Sequence, residues 1–150
     1  MSWFAIFAES AFRGCSSLFD IIIPDSVTSI GNEAFLFYNS LHSLVLPDGV
    51  SSIGDWAFDG CTSLSNLVIP DSVTSIGDGA FRDCSSLSSI VIPNGVTRIG
   101  DCAFSGCSSL TNIVIPDGVT SIGDSAFYEC NFPNDLKQEL ISRFGEKIFG

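Results

Sequence analysis

The sequence predicts an α/β repeat solenoid with a parallel β-sheet on one face, short helical turns or 3-10 segments opposite, and a capping helix at the carboxy terminus. Three observations carry that expectation. The stretch IPDSVTSIGDGAF at residues 69–81 recurs, nearly unchanged, from Ile23, Leu46, Ile92 and Ile115. Pro24, Pro47, Pro70, Pro93 and Pro116 are spaced by 23 residues, as are Ile30, Ile53, Ile76, Ile99 and Ile122, each followed by Gly. The last twenty residues, NFPNDLKQELISRFGEKIFG, abandon the period and take up a helical one.

A fixed period of this length is the signature of coils that cannot bury their own apolar residues and must stack. In the unit from Leu64 to Ser86, LSNLVI reads as a short strand, with Leu64, Leu67 and Ile69 apolar at the spacing L-x-x-L-x-L. Pro70, which has no N–H to give, and Asp71 then make a turn. Val73 and Ile76 point inward from a second short extended segment. Gly77 permits a reversal, Asp78 caps one helical turn, and Ala80, Phe81 and Cys84 return to the core.

At the carboxy terminus Asp135 and Gln138 form a capping-box pair, Leu136, Leu140, Ile141 and Phe144 share one helical face, and Gly145 stops the helix. The amino terminus begins partway through a unit. Trp3, Phe4, Ile6 and Phe7 either plug that end or pair it with a second copy of the chain. The whole reads as one domain, 1–150: an incomplete first unit at 1–17, five units over 18–132, and a helical cap over 133–150.

Composition narrows the function. Seventeen acidic residues against six basic give a net charge of -11, which repels phosphate backbones and anionic membranes, so no nucleic acid is expected. No apolar run approaches the ~20 residues of a membrane span, so no membrane insertion is expected. MSWFAIFAES lacks the basic start and long apolar core of a secretory signal.

Chemistry is sought in the repeated columns. Cys15, Cys61, Cys84, Cys107 and Cys130 share one repeat position and Cys102 stands apart. In-register side chains run parallel, with Cβ atoms near 5 Å apart against the ~3.5 to 4.5 Å of a disulfide, so a ladder of reduced thiols is expected. No C-x-x-C pair and a single His argue against a metal. His42 beside Ser43 is a surface strand residue and not part of a hydrolytic triad. The columns Asp25, Asp48, Asp71, Asp117 and Asp55, Asp78, Asp101, Asp124 suit turns and caps, with a calcium-stabilised scaffold as the alternative. One hydroxyl per coil at Thr28, Ser51, Thr74, Thr97 and Thr120 falls short of an ice-binding file.

No nucleotide loop, metal cluster or acid/base pair appears, so no enzyme and no cofactor are expected. The remaining feature is the outward strand surface: an apolar stripe of Ile22, Val45, Val68, Val91 and Val114, flanked by His42, Ser65, Ser88, Thr111 and by Ser43, Asn66, Ser89, Asn112. Apolar stripes of this kind mark protein contacts.

The pattern L-x-x-L-x-L-P followed by V-x-x-I-G-x-x-A-F-x-x-C, at a period of 23 residues, resembles the leucine-rich repeats of the BspA-like family over about residues 4–130. Departures are local: Tyr38 replaces Cys, Phe4 and Phe7 stand for Val and Ile, and Pro133 replaces the next strand Leu. The resemblance implies a right-handed leucine-rich-repeat solenoid. It also implies a bacterial cell-surface or secreted protein adhering to host proteins or other cells, although the missing signal and reduced thiols are compatible with a cytoplasmic location. The expected function is protein binding through the strand face. The alternative is a structural or self-associating scaffold.

Overall fold

The computed structural model describes residues 6–7, as backbone, together with 13–14 and 21–150. Phe4, Phe12, Cys15 and the aromatic cover expected of Trp3 and its neighbours lie outside the described residues.

Each unit forms one coil of a solenoid, and the coils are joined by parallel strands one repeat apart. The V-T-S-I segments supply one sheet of six two-residue strands: β1 (Ile6–Phe7), β2 (Ser29–Ile30), β4 (Ser52–Ile53), β6 (Ser75–Ile76), β8 (Arg98–Ile99) and β10 (Ser121–Ile122), in that order. Phe7 pairs opposite Ile30, and Ile30 opposite Ile53, so the apolar column stays in register, and Ile30, Ile53, Ile76, Ile99 and Ile122 are all buried in the core. A slip of one residue would turn the whole column to solvent.

The leucine strands behave differently. β3 (Ser43–Val45) pairs with β5 (Asn66–Val68), and β7 (Ser89–Val91) with β9 (Asn112–Val114), as two separate two-stranded sheets. The break between β5 and β7 falls where the inward residue of the strand changes from Leu44 and Leu67 to Ile90 and Ile113. Like branching stacks on like. At the change of shape Leu67 is only half-buried, whereas Leu44 and Ile90 are buried.

The segment expected to be one helical turn is a run of i→i+3 turns. Ala80 N donates to Gly77 O (3.3 Å), Arg82 N to Gly79 O (3.0 Å) and Cys84 N to Phe81 O (3.2 Å). The alternate amides, Gly79, Phe81 and Asp83, donate along the solenoid axis to Asp101, Ala103 and Ser105 carbonyls at 2.7 to 2.8 Å. Sending alternate amides in two directions places two residues per turn in the left-handed region, here Gly79 at φ 59 and Asp83 at φ 55. Asp78 accordingly does not cap its own turn. Its Oδ1 accepts the amide of Asp101 (2.9 Å), as Asp55 accepts that of Asp78 (2.8 Å) and Asp101 that of Asp124 (2.9 Å). A charged acceptor makes this a strong hydrogen bond. Arg98, 3.7 Å from Asp78, and Lys147, 3.3 Å from Asp124, offset the like charges of the column.

Inside, Phe35, Phe58, Phe81, Phe104 and Phe127 form an unbroken stack, with ring centroids 5.0 to 5.7 Å apart and planes within 13° of parallel. Each such pair contributes about 0.5–1.5 kcal/mol beyond its buried area. Tyr38 is fully buried in the place of a cysteine and lies against Phe35.

The carboxy-terminal helix α1 (Asn134–Phe144) covers the far end with Leu136, Leu140 and Phe144. It starts two residues earlier than the capping-box pair requires. Pro133 holds the cap position and makes no side-chain cap bond, while Asp135 sits in the first turn, where a negative charge suits the helix dipole. Gly145 ends it at φ 88, and a 3-10 turn over Glu146–Phe149 follows.

Candidate functional site

All thirteen residues expected on the strand surface are exposed. The strands alternate, so the inward residue of β3, β7 or β9 is buried while its neighbours face solvent. Ile22 is 92% exposed, and Val45, Val68, Val91 and Val114 are between 53% and 65% exposed, which makes the apolar stripe real. No acidic or basic residue lies on β3, β5, β7 or β9.

The break between strand pairs shapes this surface. Between β5 and β7 a groove of about 410 Å³ is lined by Ser65, Asn66, Val68, Ser89 and Val91, with Asp71 at its edge, over a floor of Leu67 and Ile90. A second, of about 350 Å³, brings Ile22 beside Ser43 and Val45. His42, Ser88, Thr111, Asn112 and Val114 lie outside both grooves. His42 serves the fold through its backbone carbonyl, which accepts the Ser65 amide at 3.0 Å. Sequence pattern does not reveal grooves of this kind, because it fixes which way a side chain points and not where a ladder parts.

The other columns are structural. Sγ of Cys61, Cys84, Cys107 and Cys130 donates to the carbonyls of Phe35, Phe58, Phe81 and Phe104 at 3.1 to 3.2 Å. Burial pushes the Cys61 and Cys130 thiols up to about 12 and raises those of Cys84 and Cys107 well above the usual thiol range. They therefore stay protonated donors, poor as nucleophiles or metal ligands. The hydroxyls of Ser51, Thr74, Thr97 and Thr120 each donate to the carbonyl of the column residue one coil earlier, at 3.1 to 3.4 Å. Among the described residues no group of three or more His, Cys, Asp or Glu could hold a metal ion, and no helix is long and apolar enough to cross a membrane.

A third hollow, of about 250 Å³, lies on the turn side, lined by Leu36, Phe37, Trp56, Asp59 and Arg82 with the Arg13–Glu33 ion pair. Burial pushes the Asp59 carboxyl above the usual range, opposed by nearby Arg82 and reinforced by Asp83. None of these residues was singled out by the periodic pattern, since all occupy positions where the copies disagree. That disagreement was itself the available signal.

Residues 5–134 match the family described as BspA type leucine-rich repeat region, in six copies. A leucine-rich repeat protein from Bacteroides ovatus superposes with a TM-score of 0.78 at 32% identity, covering 85% of this chain and 33% of that one. The T. pallidum leucine-rich repeat protein gives 0.74 at 32% identity, over 91% of this chain and 75% of that one. A leucine-rich cell surface protein from Faecalibacterium prausnitzii gives 0.51 at 31% identity, over 81% and 48%. The chain thus spans about a third of the Bacteroides ovatus protein's length. No curated protein matches it.

Proposed function

Because the chain belongs to the BspA-type leucine-rich repeat family, we propose that it is a non-enzymatic protein-interaction module of the adhesin type, binding a partner protein through the strand face. The observation that carries this reading is the exposed stripe of Val45, Val68, Val91 and Val114 on strands that carry no acidic or basic residue. An apolar centre bordered by Ser, Asn and Thr has the composition of a protein contact patch, a desolvated middle with a polar rim. The similarity to a protein described as a leucine-rich cell surface protein supports a cell-surface or secreted location.

Threonine keeps the β-branched shape of valine while adding a hydroxyl, so it suits an exposed strand position. Replacing Val45, Val68, Val91 and Val114 together by Thr is expected to leave the melting temperature within a few degrees. Affinity for those purified extracellular-matrix proteins that bind the parent chain is expected to fall at least about tenfold. Equal affinity in parent and variant would remove the strand face from the account. Self-association by way of β1, which ends the six-stranded sheet, is the second reading. A light-scattering mass that rises with concentration, and not a single-chain mass, would favour it.

A further inference from the structure

The turn between I-G-D and Cys, which are I-G-N and Tyr38 in the first unit, reads E-A-F-L-F, W-A-F-D-G, G-A-F-R-D, C-A-F-S-G and S-A-F-Y-E in the five units. Ala and Phe never vary because they are core. The three remaining positions vary, only Gly60 and Gly106 repeating, and in the first two of these turns they carry aromatic, apolar and charged groups side by side.

Two of those residues occupy backbone that disfavours them. Trp56 has φ 57 and Phe37 has φ 58, and bulky side chains rarely accept the left-handed region unless the surroundings enforce it. The same positions hold Gly79 in the next coil, and Gly14, Gly60 and Gly106. Each ring is also seated on a glycine. A Cβ at Gly79 would overlap the Trp56 ring, and one at Gly60 would overlap Phe37. The hydrogen bonding of the turn imposes this backbone at the same two positions in every coil, and here it is occupied by two large rings, each lying against a glycine of the next coil.

Beside them Asp59 is only 7% exposed, and its Oδ1 has no hydrogen-bond partner among the described residues. A buried carboxylate oxygen left in that condition is costly. The Arg82 guanidinium lies 5.8 Å from the Trp56 ring centroid, leaning across the same hollow.

We propose that this hollow is a binding site for a pyranose ring. The apolar C–H face of the sugar packs on Trp56 and Phe37, one hydroxyl donates to Asp59 Oδ1, and hydroxyl or ring oxygens accept from Arg82. The mixture of groups selects this chemistry. An ammonium would meet the like charge of Arg82, and an anion would meet Asp59. A neutral ring that donates, accepts and offers an apolar face matches all three. The site is independent of the strand face, and none of its lining residues belongs to a strand.

The test is saturation-transfer NMR on the full chain with the methyl pyranosides of glucose, galactose, mannose and N-acetylglucosamine, and with choline and lysine methyl ester as cationic probes. At least one glycoside is expected to bind with millimolar affinity, its ring C–H protons receiving most of the transfer. Asp59→Asn should weaken it about tenfold. Trp56→Gly should abolish it while keeping the fold, since glycine already holds this position one coil later. Phe37→Gly provides the same reading should Trp56→Gly fail to fold. Absence of transfer to every glycoside, undiminished binding in the folded glycine variant, or preference for a cationic probe would each overturn the proposal.

Discussion

Gly77 has no left-handed φ, yet a Cβ there would stand 2.5 Å from Asp55 Oδ1 and 2.7 Å from Asp55 N. The constraint is proximity, because the aspartate of one coil reaches under the glycine of the next to accept the Asp78 amide. Gly100 and Gly123 meet Asp78 and Asp101 in the same way. Gly77→Ala is therefore expected to lose more than about 2 kcal/mol in urea unfolding, the range of overpacking and a broken buried bond together. Adding Asp55→Ala should restore only part of it, since the backbone nitrogen still blocks the methyl group. A Gly77→Ala variant as stable as the parent would mean that the ladder yields freely. That Asp and Gly recur together was plain in the sequence. What could not be read was that the carboxylate serves the next coil and not its own turn, because one spacing of 23 residues separates donor from acceptor and no local motif records it.

The terminal element caps in two ways, and only one of them left a trace in the side chains. Leu136, Leu140 and Phe144 announced a helix through their spacing, and Arg143 ties it down through bonds to the Ile115 and Pro116 carbonyls at 3.2 and 3.3 Å. The 3-10 turn after it supplies backbone: Ser125 N donates to Lys147 O (2.7 Å) and Phe127 N to Ile148 O (2.8 Å), where another coil would have offered its own carbonyls. Carbonyls have no residue type, so this function was invisible to sequence reading. Ile148 is fully buried, and Phe132 and Phe149 close the phenylalanine stack edge-on and tilted against Phe127. Ending the chain at Gly145 should cost about 3–5 kcal/mol, from one buried isoleucine and two hydrogen bonds. Fast amide exchange at Ser125 and Phe127 should accompany it. Retained protection of those two amides in the shortened chain would assign the capping to α1 alone.

At the scale of the whole molecule, every regular contact runs between neighbouring coils, so stability is a sum of units and of the interfaces between them. The register shows this directly, since Ser75 pairs with Arg98 and Arg98 with Ser121, one repeat apart on each side. Removing residues 87–109 would join Ser86 to Leu110 in phase and leave the amino-terminal units, the turn-side hollow and the cap as they are. Gly79 would then face Ser125 without a clash, and Phe81 would stack on Phe127 in place of Phe104. Asp83 would meet Glu129 where it now meets Gly106, a like-charge contact at an exposed position. The shortened chain is expected to unfold in one cooperative step, with its denaturant slope lower by roughly a sixth, in proportion to the surface it no longer buries. It should also bind glycosides as the parent does, because Trp56, Asp59 and Arg82 all precede the deletion. Loss of cooperative unfolding would mean that the coils depend on partners beyond their neighbours, and the additive picture would fail with it.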